Sequence, residues 1–255
     1  MIAFISPAKT LDFESEMSIG ECTRPYFLND AEKVNNKLRK QSRKKLEELQ
    51  SISKQLASLN YDRNQQWSVD HVENVRQAVL AFKGDVYLGL EAENWNETDM
   101  RFANAHLRIL SGLYGVLRPT DAIQPYRLEM GTSLPVGRRK DLYHFWGDKI
   151  KTYFKENISP EETVIDLASV EYFKAVDRAG VKNPVLSVDF KDYSNGNFKV
   201  VSFFAKKARG MMANYMIQNK LTKVDDLKAF DTAGYYFDAK ESTDTNYVFL
   251  RDQQQ

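Results

Sequence analysis

Apolar and polar positions divide the chain into short strands and longer helices. Ile2–Ile5 is an unbroken apolar run that meets Pro7 at once, the pattern of a buried strand. From 29 to 60 the period becomes helical: Ala31, Val34 and Leu38 share one face, and Leu46, Leu49 and Ile52 open another behind Ser42, a capping residue. Ser68 predicts the start of a helix carrying Val72, Val75, Ala78 and Val79, with Gly84 as its stop, and Asn96 caps a helix reaching His106. Leu107 to Leu117 is apolar with glycines at 112 and 115, which predicts a hairpin or a close backbone approach. Pro119 and Pro125 then hold the chain through Gly131 irregular but stiff.

Farther on, Leu142, Phe145, Trp146, Ile150, Tyr153 and Phe154 form the stripe of a core helix over 141–157. A strand over 163–167 leads to a helix capped by Ser169, which carries Glu171, Tyr172 and Lys174. Strands 184–193 and 197–203 alternate around Ser194-Asn195-Gly196, a hairpin signal, and a second hairpin joins 235–238 to 247–251. The glutamine tail reads as disordered. No linker, repeat or low-complexity tract divides the chain, so 1–255 reads as one unit.

The stretch 202–219 organises the rest. Phe204, Ala208, Met211, Met212 and Tyr215 recur at helical spacing on one side; Lys206 and Arg209 lie on the other, Lys207 on a flank, and Gly210 and Ala213 among them. Small residues let a helix approach a surface, and the cations offer phosphate-sized charge. Thr222 is placed to cap a short helix over 223–228. The unit reads as helix, turn, helix, with Lys220 and Lys223 at the turn. The plainer reading is a solvated cationic face, and Lys33 to Lys45, a second basic run, takes that plainer reading.

Composition narrows the setting. A net charge of +1 over 255 residues means that any nucleic-acid site is a local patch. One cysteine, Cys22, rules out an internal disulfide and fits a reducing compartment. With no secretory pattern and no apolar run long enough for a bilayer, the sequence predicts a cytoplasmic protein without a membrane partner. His71, His106 and His144 are scattered, so neither zinc nor a di-iron centre is expected. Lys9-Thr10 after the first strand lacks the glycines of a phosphate loop, and no Gly-x-Ser-x-Gly is present. Lys9, Lys83, Asp85, Tyr87, Arg127, Glu129, Asp148, Glu171 and Lys174 sit at strand and loop ends, where they either line a cleft suited to acid–base chemistry or form structural ion pairs.

Six separated motifs resemble the YaaA family: 5–12, 81–87, 110–119, 124–131, 145–148 and 205–210. The resemblance implies a mixed α/β fold particular to that family, a mixed sheet with surrounding helices and a central cleft. It implies a role in the response to hydrogen peroxide, and DNA binding through a basic cleft and a helix-hairpin-helix element. That element maps to about 202–230, although Asn219 to Thr222 lacks the usual glycines, which Gly112-Leu113-Tyr114-Gly115 has. On this reading Lys206, Lys207, Arg209, Lys220 and Lys223 contact phosphates, Lys9, Lys83, Arg127 and Lys174 line the cleft, and no cofactor is required. The alternative is an enzyme acting on a nucleotide or a DNA base with Lys9, Asp85, Arg127, Glu129 and Asp148. A third reading, iron sequestration, lacks a ligand cluster.

Overall fold

The computed structural model describes residues 1–15, 18–70 and 74–252. The chain starts in the middle of its own sheet. Strand β1 (Ile2–Ile5) is wholly buried, and its neighbours come from far along the sequence: β5 (Leu107–Ser111) on one side and β8 (Val164–Leu167) on the other, both parallel to it. Beyond β8 follow β9 (Val185–Ser194) and β12 (Asn246–Arg251), also parallel. The antiparallel strands β6 (Gly115–Leu117) and β11 (Tyr235–Phe237) close the two edges, and β10 (Asn197–Lys199) pairs with β9. Parallel strands need cover on both faces, which is why β1, β5 and β8 are so apolar.

Helices supply that cover. α7 (Leu142–Asn157) packs through Phe154, stacked 5.4 Å from Phe4, and its predicted stripe is buried. α8 (Val170–Ala179) lies beside α7. α6 (Glu97–His106) opens with a full capping box between Asn96 and Asp99 and borders β1. α9 (Ser202–Gln218) crosses β9. α1 (Leu28–Arg39), α2 (Arg43–Gln50) and α3 (Lys54–Gln66) form a separate helical layer, with Ser42 accepting from the Lys45 N–H as its cap position predicts. Two small antiparallel pairs complete the set: β2 (Thr10–Leu11) with β4 (Phe82–Lys83), and β3 (Arg76–Gln77) with β7 (Ala122–Ile123).

Both hairpins form, although the strand expected over 197–203 ends at Lys199 and gives way to α9 at Ser202, and the apolar run 107–117 takes the predicted form. The latter is both things anticipated, a β5–β6 hairpin with Gly115 at φ +71° and a close approach at Gly112. The helix expected from Ser68 is different. Its residues 71–73, Val72 included, lie outside the described residues, and Arg76–Gln77 is strand. Buried Gln77 accepts from the Ile19 N–H and donates to its carbonyl, which holds this backbone extended; among the described residues of this stretch the helix is α4 (Ala78–Ala81). Gly84 does not end that helix but precedes α5 (Asp85–Leu90). The glutamines 253–255 lie outside the described residues.

Candidate functional site

The order of the strands defines where the chain gathers its polar residues. From β1 the connections run to β5 on one side and later to β8 on the other, and such a switch point leaves a crevice at the carboxyl ends of the strands. Ser6 leaves β1 there, and Ser169 leaves β8 as the N-cap of α8. The Ser169 hydroxyl does not cap its own helix. It accepts from the Ser6 hydroxyl at 3.3 Å, while the Ser169 N–H donates to Ser6 Oγ at 2.9 Å. The Tyr87 hydroxyl donates to the Ser6 carbonyl at 3.2 Å and so ties α5 to the same point.

Segment 124–131 lies over the end of β5. Gly112 permits this, since a Cβ there would stand 2.4 Å from the Leu128 carbonyl oxygen. The segment is pinned along its length by Ser111 Oγ to Tyr126 Oη (2.6 Å), Gln50 Nε2 to the Arg127 carbonyl (2.9 Å), and the Gly131 N–H to Glu171 Oε1 (2.9 Å). The stiffness expected from its prolines thus has a second source in side-chain bonds.

At the centre sits Glu129. Its Oε1 accepts from Arg127 Nη2 at 3.1 Å and lies 3.3 Å from Lys9 Nζ; Arg127 and Glu129 side chains are 15% exposed, Lys9 67%. Arg127 Nε and Gln50 Oε1 are both buried without a partner among the described residues. Tyr126 and Tyr172, beside this group, are held in the phenol form, because burial pushes both pKa values well up. Burial raises that of Tyr87 in the same way. An acid clamped by two cations, next to neutral phenols and two linked serines, can bind an anion or move a proton.

The other expected cleft residues divide around this group. Lys83 meets Asp12 at 2.7 Å, and that ammonium, with the Ser15 hydroxyl, holds the Asp12 carboxyl far below the ordinary range. Asp85 is half-buried at the start of α5. Lys174 lies over the Tyr143 ring at 5.0 Å, and the Tyr143 hydroxyl donates to the Glu171 carbonyl. Asp148 is exposed and pairs with Arg139 at 2.8 Å instead of facing Lys9.

Of the five cations on and after α9, Lys206 and Lys223 are exposed and Lys207 partly so. Two are placed differently from the expectation. Lys220 is bound to the buried Asp99 and donates to the Ile217 carbonyl at 2.8 Å. Arg209 is half-buried. Burial lowers its pKa while Asp166 and Asp189 act the other way, and its Nε has no partner among the described residues. Asp166, half-buried, is raised to about 7, chiefly by desolvation.

The reason lies in α9, which is covered on two sides. Ala205, Ala208, Met212, Ala213 and Met216 are buried, and Gly210 meets α5. A Cβ at Gly210 would lie 1.8 Å from the Val86 carbonyl oxygen, and one at Gly89 2.1 Å from that of Lys207. The surface that the small residues admit is therefore another helix of the same chain. Phe204, expected in the core, is exposed beside Phe203, with the Arg251 guanidinium 4.7 Å above its ring. The helix expected over 223–228 is a 3₁₀ stretch, Val224–Ala229, without a side-chain cap from Thr222; Lys220 turns the chain at φ +53°. Leu113 and Tyr114, between the two glycines considered as the alternative hairpin, are fully buried.

Sequence reasoning named Ser169 only as a helix cap and did not single out Ser6, Asp12 or Asp166 for the site. The only signal for the two serines was position: Ser6 follows its buried strand directly, and Ser169 follows its own after Ala168. His106 bonds the Met1 carbonyl through Nδ1, and His144 bonds Asp141; His71 lies outside the described residues. Among the described residues no group of three or more His, Cys, Asp or Glu is disposed to hold a metal ion, and no helix is long and apolar enough to cross a membrane.

A family model described as Peroxide stress protein YaaA matches residues 1–241. The chain belongs to this family. As the family's name states, it is a peroxide stress protein, consistent with the oxidative stress response. The switch-point crevice, the Glu129 group and α9 all lie within the span matched by the YaaA model, whereas Arg251, which covers Phe204, lies beyond it.

Proposed function

We propose that the protein binds DNA in the peroxide stress response, and that it favours DNA carrying unpaired bases, as repair intermediates do. The observation that carries this reading is the start of α9, where Phe203 and Phe204 are exposed next to Lys206, with Arg251 over Phe204. Aromatic faces beside cations suit a single strand, since bases stack while phosphates meet positive charge. Lys206, Lys207 and Lys223 contact phosphates in this account, with Lys9, Lys83, Arg127 and Lys174 lining the neighbouring crevice. Such contacts position the strand and give little sequence preference.

Fluorescence anisotropy with labelled single strands and duplexes at several salt concentrations tests the reading. Lys206→Ala/Lys207→Ala/Lys223→Ala should flatten the log–log salt dependence by about 0.7–0.9 per lysine. Phe203→Ala/Phe204→Ala should weaken single strands by about 1–3 kcal/mol per stacked base and duplexes much less. Unchanged slopes together with unchanged single-strand affinity would refute it.

A second reading is favoured by Glu129. A crevice built only to attract phosphate has no use for an acid between Lys9 and Arg127 unless the acid holds them in place or takes part in chemistry on a nucleotide or base. If Glu129→Gln improves DNA binding yet abolishes protection from peroxide, the enzymatic reading replaces the first.

A further inference from the structure

A cavity of about 470 Å³ opens between the β2–β4 pair and α5. Its size falls within the roughly 300–1,000 Å³ of small-molecule pockets. Val79, Leu80, Phe82, Tyr87, Leu88 and Ala92 make its walls. All are buried except Leu88, which is 60% exposed.

The polar side of the cavity has two cations in fixed positions. Lys83 is held by Asp12 at 2.7 Å. Arg76 is held by backbone carbonyls, with Nε donating to Leu80 at 3.1 Å and Nη1 to Ser15. An ammonium has three donors and a guanidinium five. Asp12 takes one from Lys83, and the two carbonyls take two from Arg76. Two acids also border the space. Asp12 is already saturated: besides Lys83 it accepts from the Glu14 and Ser15 N–H groups at 3.0 and 3.1 Å and from the Ser15 hydroxyl at 2.6 Å. Glu93 is exposed, where water and salt screen its charge. The hydroxyls of Thr10 and Ser15 complete the polar side.

We propose that this cavity binds a small amphipathic anion, its apolar body against Leu80, Phe82 and Leu88 and its carboxylate, sulfonate or phosphate group on Arg76 and Lys83. The site shares Lys83 with the crevice that adjoins the proposed DNA surface, but neither reading depends on the other. It adjoins the crevice through Tyr87, which lines the cavity and donates to the Ser6 carbonyl.

Two dyes of nearly equal shape test it, 8-anilinonaphthalene-1-sulfonate and the uncharged N-phenyl-1-naphthylamine, titrated by fluorescence into the full-length protein. The sulfonate should saturate at one site. Lys83→Gln and Arg76→Gln should each weaken it about tenfold, the effect of losing a charged hydrogen bond, and leave the neutral dye unchanged. Because both cations also hold backbone or Asp12 in place, Leu88→Glu supplies the variant that spares the fold. Its added charge at this exposed position should weaken the sulfonate by a similar factor. Binding without saturation, an unaltered affinity in Leu88→Glu, or equal losses for both dyes would overturn the assignment.

Discussion

Asp166 and Lys220 show what the crystal-like packing of the interior does to single charged residues. Asp166 is half-buried and accepts from the Ala168 N–H, and burial dominates its shift to about 7, with Arg209 opposing and Asp177 and Asp189 adding to it. Above the ordinary carboxylate value of 3.8 the unfolded chain releases this proton, while the native chain keeps it until about pH 7. Between those values the native state binds more protons, so this group's contribution to stability falls as pH rises through the window and is level above it. Asp166→Asn should remove that slope, and unfolding in denaturant at pH 4, 5.5 and 8 should show the variant gaining on the wild type by at most roughly 4 kcal/mol. Parallel pH profiles would place the ionised form of Asp166 in a better environment than burial implies. Lys220 is the opposite case. Burial alone would raise the pKa of Asp99, but the Lys220 ammonium and the Asn96 N–H overcome it. Lys220→Ala should cost about 1–3 kcal/mol by leaving a buried carboxylate short of a donor. It should leave the salt dependence of DNA binding as it was, and a flattened slope would return Lys220 to the DNA-contacting set. Neither role was legible from sequence, because both depend on a carboxylate that is remote along the chain and adjacent only in the fold.

At the level of elements the periodicity was a good guide wherever a helix buries one side, and failed where it buries two. Leu142 to Phe154 illustrates the first case and α9 the second: a helix with cover on two sides has no clean apolar stripe, so Phe204 and Arg209 exchanged their expected places. The helix read into 68–79 failed for a different reason. Gln77 makes bonds to Ile19 that helical propensity cannot anticipate. The contact that fixes α9 is its crossing with α5 at Gly210 and Gly89, where backbones meet without side chains between them. Alanine at an ordinary helix position is favoured over glycine by about 1 kcal/mol. Gly210→Ala should nonetheless destabilise by about 1–3 kcal/mol or more, since its Cβ and the Val86 carbonyl oxygen cannot share the space unless the helices separate. Thermal unfolding decides this, and a variant more stable than wild type would show that the crossing is looser than its geometry. Gly89→Ala should behave alike, and the double variant should cost less than the two singles added, because one separation of the helices relieves both clashes.

For the molecule as a whole, charge is the quantity that separates the readings of its surface. With a net charge of +1 the protein exerts little general attraction on DNA, so the proposed binding rests on a local group of cations. Burial and pairing have removed Arg209 and Lys220 from the α9 group, which leaves Lys206, Lys207 and Lys223. In the crevice Lys9 and Arg127 already face Glu129, and Lys83 faces Asp12. Each phosphate neutralised on duplex DNA contributes about 0.9 to the slope of log affinity against log salt. Three contacts therefore give a slope of about −3, while recruitment of Lys9, Lys83, Arg127 and Lys174 as well would steepen it to about −6. We expect the shallower value for wild type, because drawing a phosphate to Lys9 or Arg127 places it against Glu129, which holds both cations. The steeper value would mean that these ion pairs open on binding, and Glu129→Gln should then raise affinity without altering the slope. That combination would join the crevice to α9 as one continuous DNA surface; a slope near −3 that is indifferent to Glu129 leaves the crevice free for chemistry of its own.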